Sequence, residues 1–193
     1  MGFRVPPAFA AWQHRDARAG FEVVFLRADG DGFRVDGATT AVEDGAAWVV
    51  QYSIGFDATW TARRTRVEGR SAAGRCRVSL VGDGAGHWEV DGAAAPALDG
   101  CLDVDLESSA LTNAFPVRRL GLAIGRDAQA PAVYVRAADL HVERLEQHYR
   151  RLDDDEDRQR YAYAAPRFDF ACELLYDRFG LVLDYPGIAT RAA

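Results

Sequence analysis

The sequence predicts a mainly β protein built from short antiparallel strands, and three observations carry that prediction. Glycine- and aspartate-rich turn signals recur at ADGDG (28–32), EDG (43–45), GDGAG (82–86), VDG (90–92) and DRFG (177–180). Each separates two short apolar-rich runs, the pattern of a meander, sandwich or barrel. The run AWVVQYSIGF (47–56) alternates cleanly, with Trp48, Val50, Tyr52, Ile54 and Phe56 on one face. Period-two alternation of that length is a half-buried strand and a poor helix.

The other elements follow in order. FEVVFL (21–26) is apolar on both faces and predicts a strand covered on both sides. FRV (33–35), RCRVSLV (75–81), CLDVDL (101–106), AVYV (132–135) and LVLDY (181–185) are further strands. In TWTARRTRV (59–67), Trp60 and Val67 have opposite parity, and a bulge would bring them to one face. LHVERLEQHYRRL (140–152) fits a helix as well as strands, because Leu145, Tyr149 and Leu152 would share a helical face. In FDFACELL (168–175), Phe168, Phe170, Cys172 and Leu174 share a face. The charge run DDDEDRQR (153–160) reads as a solvated loop.

The 193 residues fit one domain and suffice for a real core, and no internal repeat or linker divides them. The net charge of −6 argues against nucleic acid and anionic membranes as partners. All 23 basic residues are arginine, which fits the abundance of Ala, Gly and Asp expected of a GC-rich genome. Cys76, Cys101 and Cys172 lie in strand-like or apolar stretches and read as reduced and buried. No apolar run reaches the ~20 residues of a membrane span. MGFRVPPAFAAWQHRD lacks the apolar region of a secretory signal, so the expectation is a cytoplasmic protein without stable membrane insertion.

No histidine or cysteine pair has metal-ligand spacing, and neither a metal nor a cofactor is expected. Asp103 and Asp105 in LDVDL sit two apart, about 7 Å along a strand and on one face. That spacing would suit acid–base work on a sugar or ester, but the plainer reading is a polar face turned to water. Such close like charges call for a nearby arginine, and Arg118 and Arg119 can supply one. If VRRLGL (117–122) is a strand, the two arginines face opposite sides and only one joins the aspartates. In the preceding SSALTNAFP, Thr112 and Asn113 would bond the backbone of a corner, and Pro116 would hold Phe115 extended. The six arginines at 63–77 read as a solvated outer sheet face.

LDGCLDVDL (98–106), TNAFPVRRLGL (112–122), QHY (147–149), YAY (161–163) and GLVLDYPGI (180–188) together resemble the bacterial family described as "Putative glycolipid-binding". The likeness runs from about residue 12 to 191 and keeps the motif order. It implies a strongly curved antiparallel sheet forming an open half-barrel with few short helices, similar to lipoprotein carrier proteins. The motif positions carried over are Asp99, Asp103, Asp105, Asn113, Pro116, Arg118, Arg119, Tyr149, Asp184, Tyr185 and Pro186. Ala114-Phe115-Pro116 stands where the family leads one to expect Thr-Leu-Pro, and Ile188 where it leads one to expect Trp. Both changes fall where they would reshape a cavity mouth.

The resemblance implies a protein that holds a lipid or glycolipid in the concave face of its sheet. Trp48, Tyr52, Trp60 and Tyr149 are the candidate apolar contacts, and Arg118 or Arg119 the head-group anchor. Two alternatives stand beside it: a structural or partner-binding β domain without a small ligand, and a hydrolase using Asp103 and Asp105. A binding module is favoured over an enzyme.

Overall fold

A computed structural model describes residues 2–193. Eight strands fill the first half: β1 (Phe9–His14), β2 (Ala19–Asp29), β3 (Gly32–Glu43), β4 (Ala46–Phe56), β5 (Ala62–Ser71), β6 (Gly74–Gly82), β7 (Trp88–Val90) and β8 (Ala93–Ala94). Then come β9 (Asp103–Leu106) and a short helix, α1 (Ala114–Leu120). The remainder is β10 (Asp127–Gln129), β11 (Ala132–Val135), β12 (Val142–Leu145), β13 (His148–Arg151), β14 (Gln159–Ala165), β15 (Phe170–Tyr176), β16 (Val182–Tyr185) and β17 (Ala189–Arg191).

Fourteen strands form one antiparallel sheet in the order β10-β13-β14-β15-β16-β17-β1-β2-β3-β4-β5-β6-β7-β8. The two ends of the chain meet inside it, where Trp12 of β1 faces Arg191 of β17. The sheet does not close, because β10 and β8 do not pair. A single sheet was expected; instead β12, β11 and β9 form a second one, with β9 parallel to β11. The long connection carrying β9 and α1 packs on the large sheet, so that Phe115 lies 4.4 Å from Phe56 between ring centroids. Leu106, Leu111 and Phe115 join Val35, Ile54, Leu80 and Leu174 in one core. No helix of the described residues is long and apolar enough to cross a membrane, which says nothing about strands.

The alternation at 47–56 is borne out: Trp48, Val50, Tyr52, Ile54 and Phe56 are buried and their neighbours point outward. The bulge is present as well. Gly55 faces Arg64 but Phe56 faces Ala62, which leaves Arg63 as the extra residue. The ambiguous stretch 140–152 resolves into β12 and β13, so the helical reading fails there. FEVVFL is not covered on its second side, where Phe21 and Phe25 stay exposed. Phe168 leaves its expected face because a tight turn, Pro166–Phe168, precedes β15. Of the cysteines only Cys101 is fully buried; Cys76 and Cys172 are half-buried, and all three are free.

The largest correction concerns 114–120. Pro116 does not hold Phe115 extended, because the segment is helical. Proline is tolerated in the first turn, where backbone N–H groups lack partners anyway. Burial of Phe115 against Phe56 overrides the local bias of a residue before proline. Gly121 ends the helix in the left-handed conformation, φ 54°, and returns its N–H to the Val117 carbonyl. The paired arginines therefore sit in the last helical turn, where the helix dipole favours cations. Adjacent helical residues point about 100° apart, so the two still diverge, though by helical rotation and not by the alternation of a strand.

Candidate functional site

LDVDL does not face water. Asp103 is fully buried and Asp105 nearly so, because β9 lies between the large sheet and β11. Arg119 reaches back from α1 to grip both oxygens of Asp103, at 3.1 and 3.2 Å from Nε and 2.5 Å from a terminal nitrogen. Asp105 has no arginine. Its carboxylate accepts the Thr112 hydroxyl at 2.6 Å and the Gln147 amide at 2.6 Å. Burial outweighs those two bonds and pushes the Asp105 carboxyl up to about 6.

The bonds continue outward. The Gln147 amide also donates to the Tyr163 hydroxyl at 3.0 Å. Tyr149 donates to the Asn113 side chain at 2.8 Å, and Tyr176 to the Asn113 carbonyl at 3.0 Å. Behind Ser109 lies Glu22, wholly buried and without an ion-pair partner among the described residues. It accepts from the Tyr52 and Ser109 hydroxyls, each at 2.5 Å, and from the Ala110 N–H at 2.8 Å. Burial raises its carboxyl despite these donors. The Tyr52 ring lies across Gly37 of the neighbouring strand, where an added Cβ would overlap it. Gly37→Ala is expected to cost about 1–3 kcal/mol by overpacking. An unchanged urea midpoint would contradict that placement of the ring.

These groups surround a cavity of about 220 Å³. Asp105, Ser109 and Asn113 form its floor, and Tyr134, Tyr163, Phe168, Phe170 and Tyr185 its walls. The wall rings stand near one another at 5.5 Å (Tyr134–Phe168) and 6.0 Å (Phe170–Tyr185), spacings typical of edge-to-face packing. Arg18 closes one side. It is nine-tenths buried, lies 5.3 Å from the Trp48 ring, donates to the Glu107 carbonyl at 2.9 Å, and keeps Nε without a partner.

The predicted ligand contacts separate. Tyr52 and Tyr149 are inside the packed interior, each held by a hydrogen bond, and neither lines the cavity. Trp48 backs Arg18. Arg119 is committed to Asp103. Trp60 and Arg118 do come together, 4.0 Å from guanidinium to ring, but at a different cleft. Asp103 does not reach the cavity, so the two aspartates cannot share acid–base work there. Among the motif residues, Asp105, Asn113 and Tyr185 line the cavity. Pro116 is buried in α1, Asp184 is half-buried on β16, and Pro186 is exposed in the turn after it. Asp99 lies in an exposed loop, 3.3 Å from His87. Arg18, Glu22 and Ser109 were not foreseen, since none stands in a pattern that singles it out, and Phe170 was placed on a strand face but in no site.

The chain is similar to solved structures of known fold. A DUF1089 family protein from Pseudomonas aeruginosa has 35% sequence identity and a TM-score of 0.79, over 99% of this chain and 96% of that one. A β-barrel-like protein of the DUF1849 domain from Brucella abortus shares the fold alone, with 13% identity, a TM-score of 0.55, and coverage of 98% and 96%. No curated protein matches the chain. The model of the family described as "Putative glycolipid-binding" matches residues 9–191, nearly the whole length, and the chain belongs to that family.

Proposed function

We propose that the protein binds an amphipathic ligand and seats its sugar-like head group in the aromatic cavity above Asp105. One observation carries the reading. Segments far apart in the sequence, LDVDL, TN, QHY, YAY and DYPGI, all place residues in this cavity or directly behind it. Aromatic faces beside carboxylate, amide and guanidinium groups suit a ring rich in hydroxyls. The volume of about 220 Å³ falls below the roughly 300–1,000 Å³ of pockets that enclose drug-sized ligands, which suits a head group. The family's name agrees with a binding role and with a glycolipid as the ligand class, without naming a particular one.

The test is calorimetric titration with octyl glucoside below its micellar concentration, with octanol as control. Saturable glucoside binding, weakened at least about fivefold by Phe170→Ala, is expected, since losing a stacking ring costs about 1 kcal/mol or more. A flat titration, together with a ligand-free native mass spectrum of protein purified from its own host, would overturn the reading. A second reading draws on Asp103–Arg119 and Asn113–Tyr149, which are buried and hold elements together. On that view the motifs serve the fold alone, and the Phe170→Ala comparison separates the two.

A further inference from the structure

A second opening lies at the C-terminal end of α1 and shares no lining residue with the cavity at the other end. It is a cleft of about 750 Å³. Trp60, Arg118, Arg151 and Tyr161 form its base, and the backbone of 121–124 one side. Trp60 arrives there by a local constraint. The Asp57 carboxylate accepts the N–H groups of Thr59 at 2.9 Å and Thr61 at 3.1 Å, and this tight turn holds Trp60 at φ 66°. A bulky residue in the left-handed region is unusual and calls for a reason. Here the turn lays the indole flat on Phe33, at 4.6 Å and 19°, with the Arg118 guanidinium 4.0 Å from its ring.

The charges of the cleft do not balance. Arg151 pairs with Asp154. Arg118 has no carboxylate within ion-pairing distance among the described residues; Asp177 acts on it only from farther away. Its terminal nitrogens donate to the carbonyls of Phe179 and Arg4, and its Nε is buried without a partner. Burial draws the guanidinium down to about 10 from its usual range, against the opposite pull of Asp177. Among the described lining residues two cations face one carboxylate, and that carboxylate is paired with Arg151. Phe3, Leu122 and the exposed Ile124 add apolar surface beside it.

We infer that this cleft is a separate site for the singly charged anionic end of an amphiphile, a carboxylate or a phosphodiester, with its apolar body laid against Leu122 and Ile124. A phosphate monoester, with about −1.5 to −2 charge at pH 7, fits less well because Asp154 repels the excess. The inference does not rest on the head-group cavity, and its test reads a different residue.

The experiment follows the Trp60 indole N–H by NMR, assigned through its loss in Trp60→Phe, during titration with decanoate, decyl phosphate and decanol. Decanoate is expected to shift this resonance saturably and at least tenfold more tightly than decanol, with decyl phosphate between them. Arg118→Gln should remove the preference for decanoate over decanol, and Asp154→Asn should strengthen decyl phosphate several-fold. Equal affinity for decanol and decanoate, an unmoved Trp60 resonance, or an undiminished decanoate preference in Arg118→Gln would each overturn the site. Should Arg118→Gln fail to fold, the comparison of the three probes on the unaltered protein and on Asp154→Asn still decides.

Discussion

Arg119→Ala is expected to destabilise the protein by about 3–5 kcal/mol, the cost of leaving a buried charge without its partner. Asp103 is fully buried, and Arg119 is its cation, held through three short contacts. Without the guanidinium, Asp103 must either stay charged in a low-dielectric interior or take up a proton. Burial already raises its carboxyl even with Arg119 in place. At this chain length about 2–4 °C is lost per kcal/mol, so the melting temperature should fall by roughly 6–20 °C. Thermal unfolding followed by circular dichroism measures it. Replacing both partners with apolar residues of similar volume should cost less than Arg119→Ala alone, since no charge is stranded. A shift under about 2 °C for Arg119→Ala would mean that Asp103 finds another partner or does not need one.

The second large effect is a pH dependence. The Asp105 carboxyl rises from its ordinary value near 4 to about 6 in the folded protein. Between those values the folded state binds more protons than the unfolded one, so this group makes stability fall as pH rises from about 4 to 6. Two pH units correspond to about 3 kcal/mol. Glu22 acts in the same direction, because burial raises it too. His14 acts in the opposite one: burial and nearby Arg18 lower it to about 4, so its share of stability is lost as pH falls from about 6.5 toward 4. The opposing slopes partly cancel in the unaltered protein. The prediction is therefore a difference. Asp105→Asn should gain on the unaltered protein by about 3 kcal/mol as pH goes from 4 to 7, measured by urea unfolding at each pH. A gap that does not change with pH would place Asp105 in contact with water.

Much of the fold was legible in the sequence because a strand that buries one face writes a two-residue period. Where burial is two-sided or the element is short, that signal disappears. β9 is buried on all four residues, so its aspartates looked like a solvent face until Arg119 and Gln147 supplied their partners. The apolar outer face of β2 misled in the opposite sense, since Phe21 and Phe25 are exposed. α1 spans seven residues and contains a proline; only packing of Phe115 on Phe56 makes it a helix. The site was half legible. Motif residues Asp105, Asn113 and Tyr185 do converge. Arg18 was invisible, because its role depends on Trp48 thirty residues away and on a backbone carbonyl at 107.

The sheet's two ends have a consequence of another kind. A fourteen-stranded sheet that does not close offers two rows of unpaired backbone groups, an invitation to polymerise through its edges. Here those edges are β8, two alanines long, and β10, three residues long. An incoming strand finds too few hydrogen bonds at either end to repay its ordering. Edge-to-edge pairing is thus opposed by brevity at the sheet's margins, and lengthening β8 or β10 by a few β-branched residues is the change most apt to make the chain polymerise.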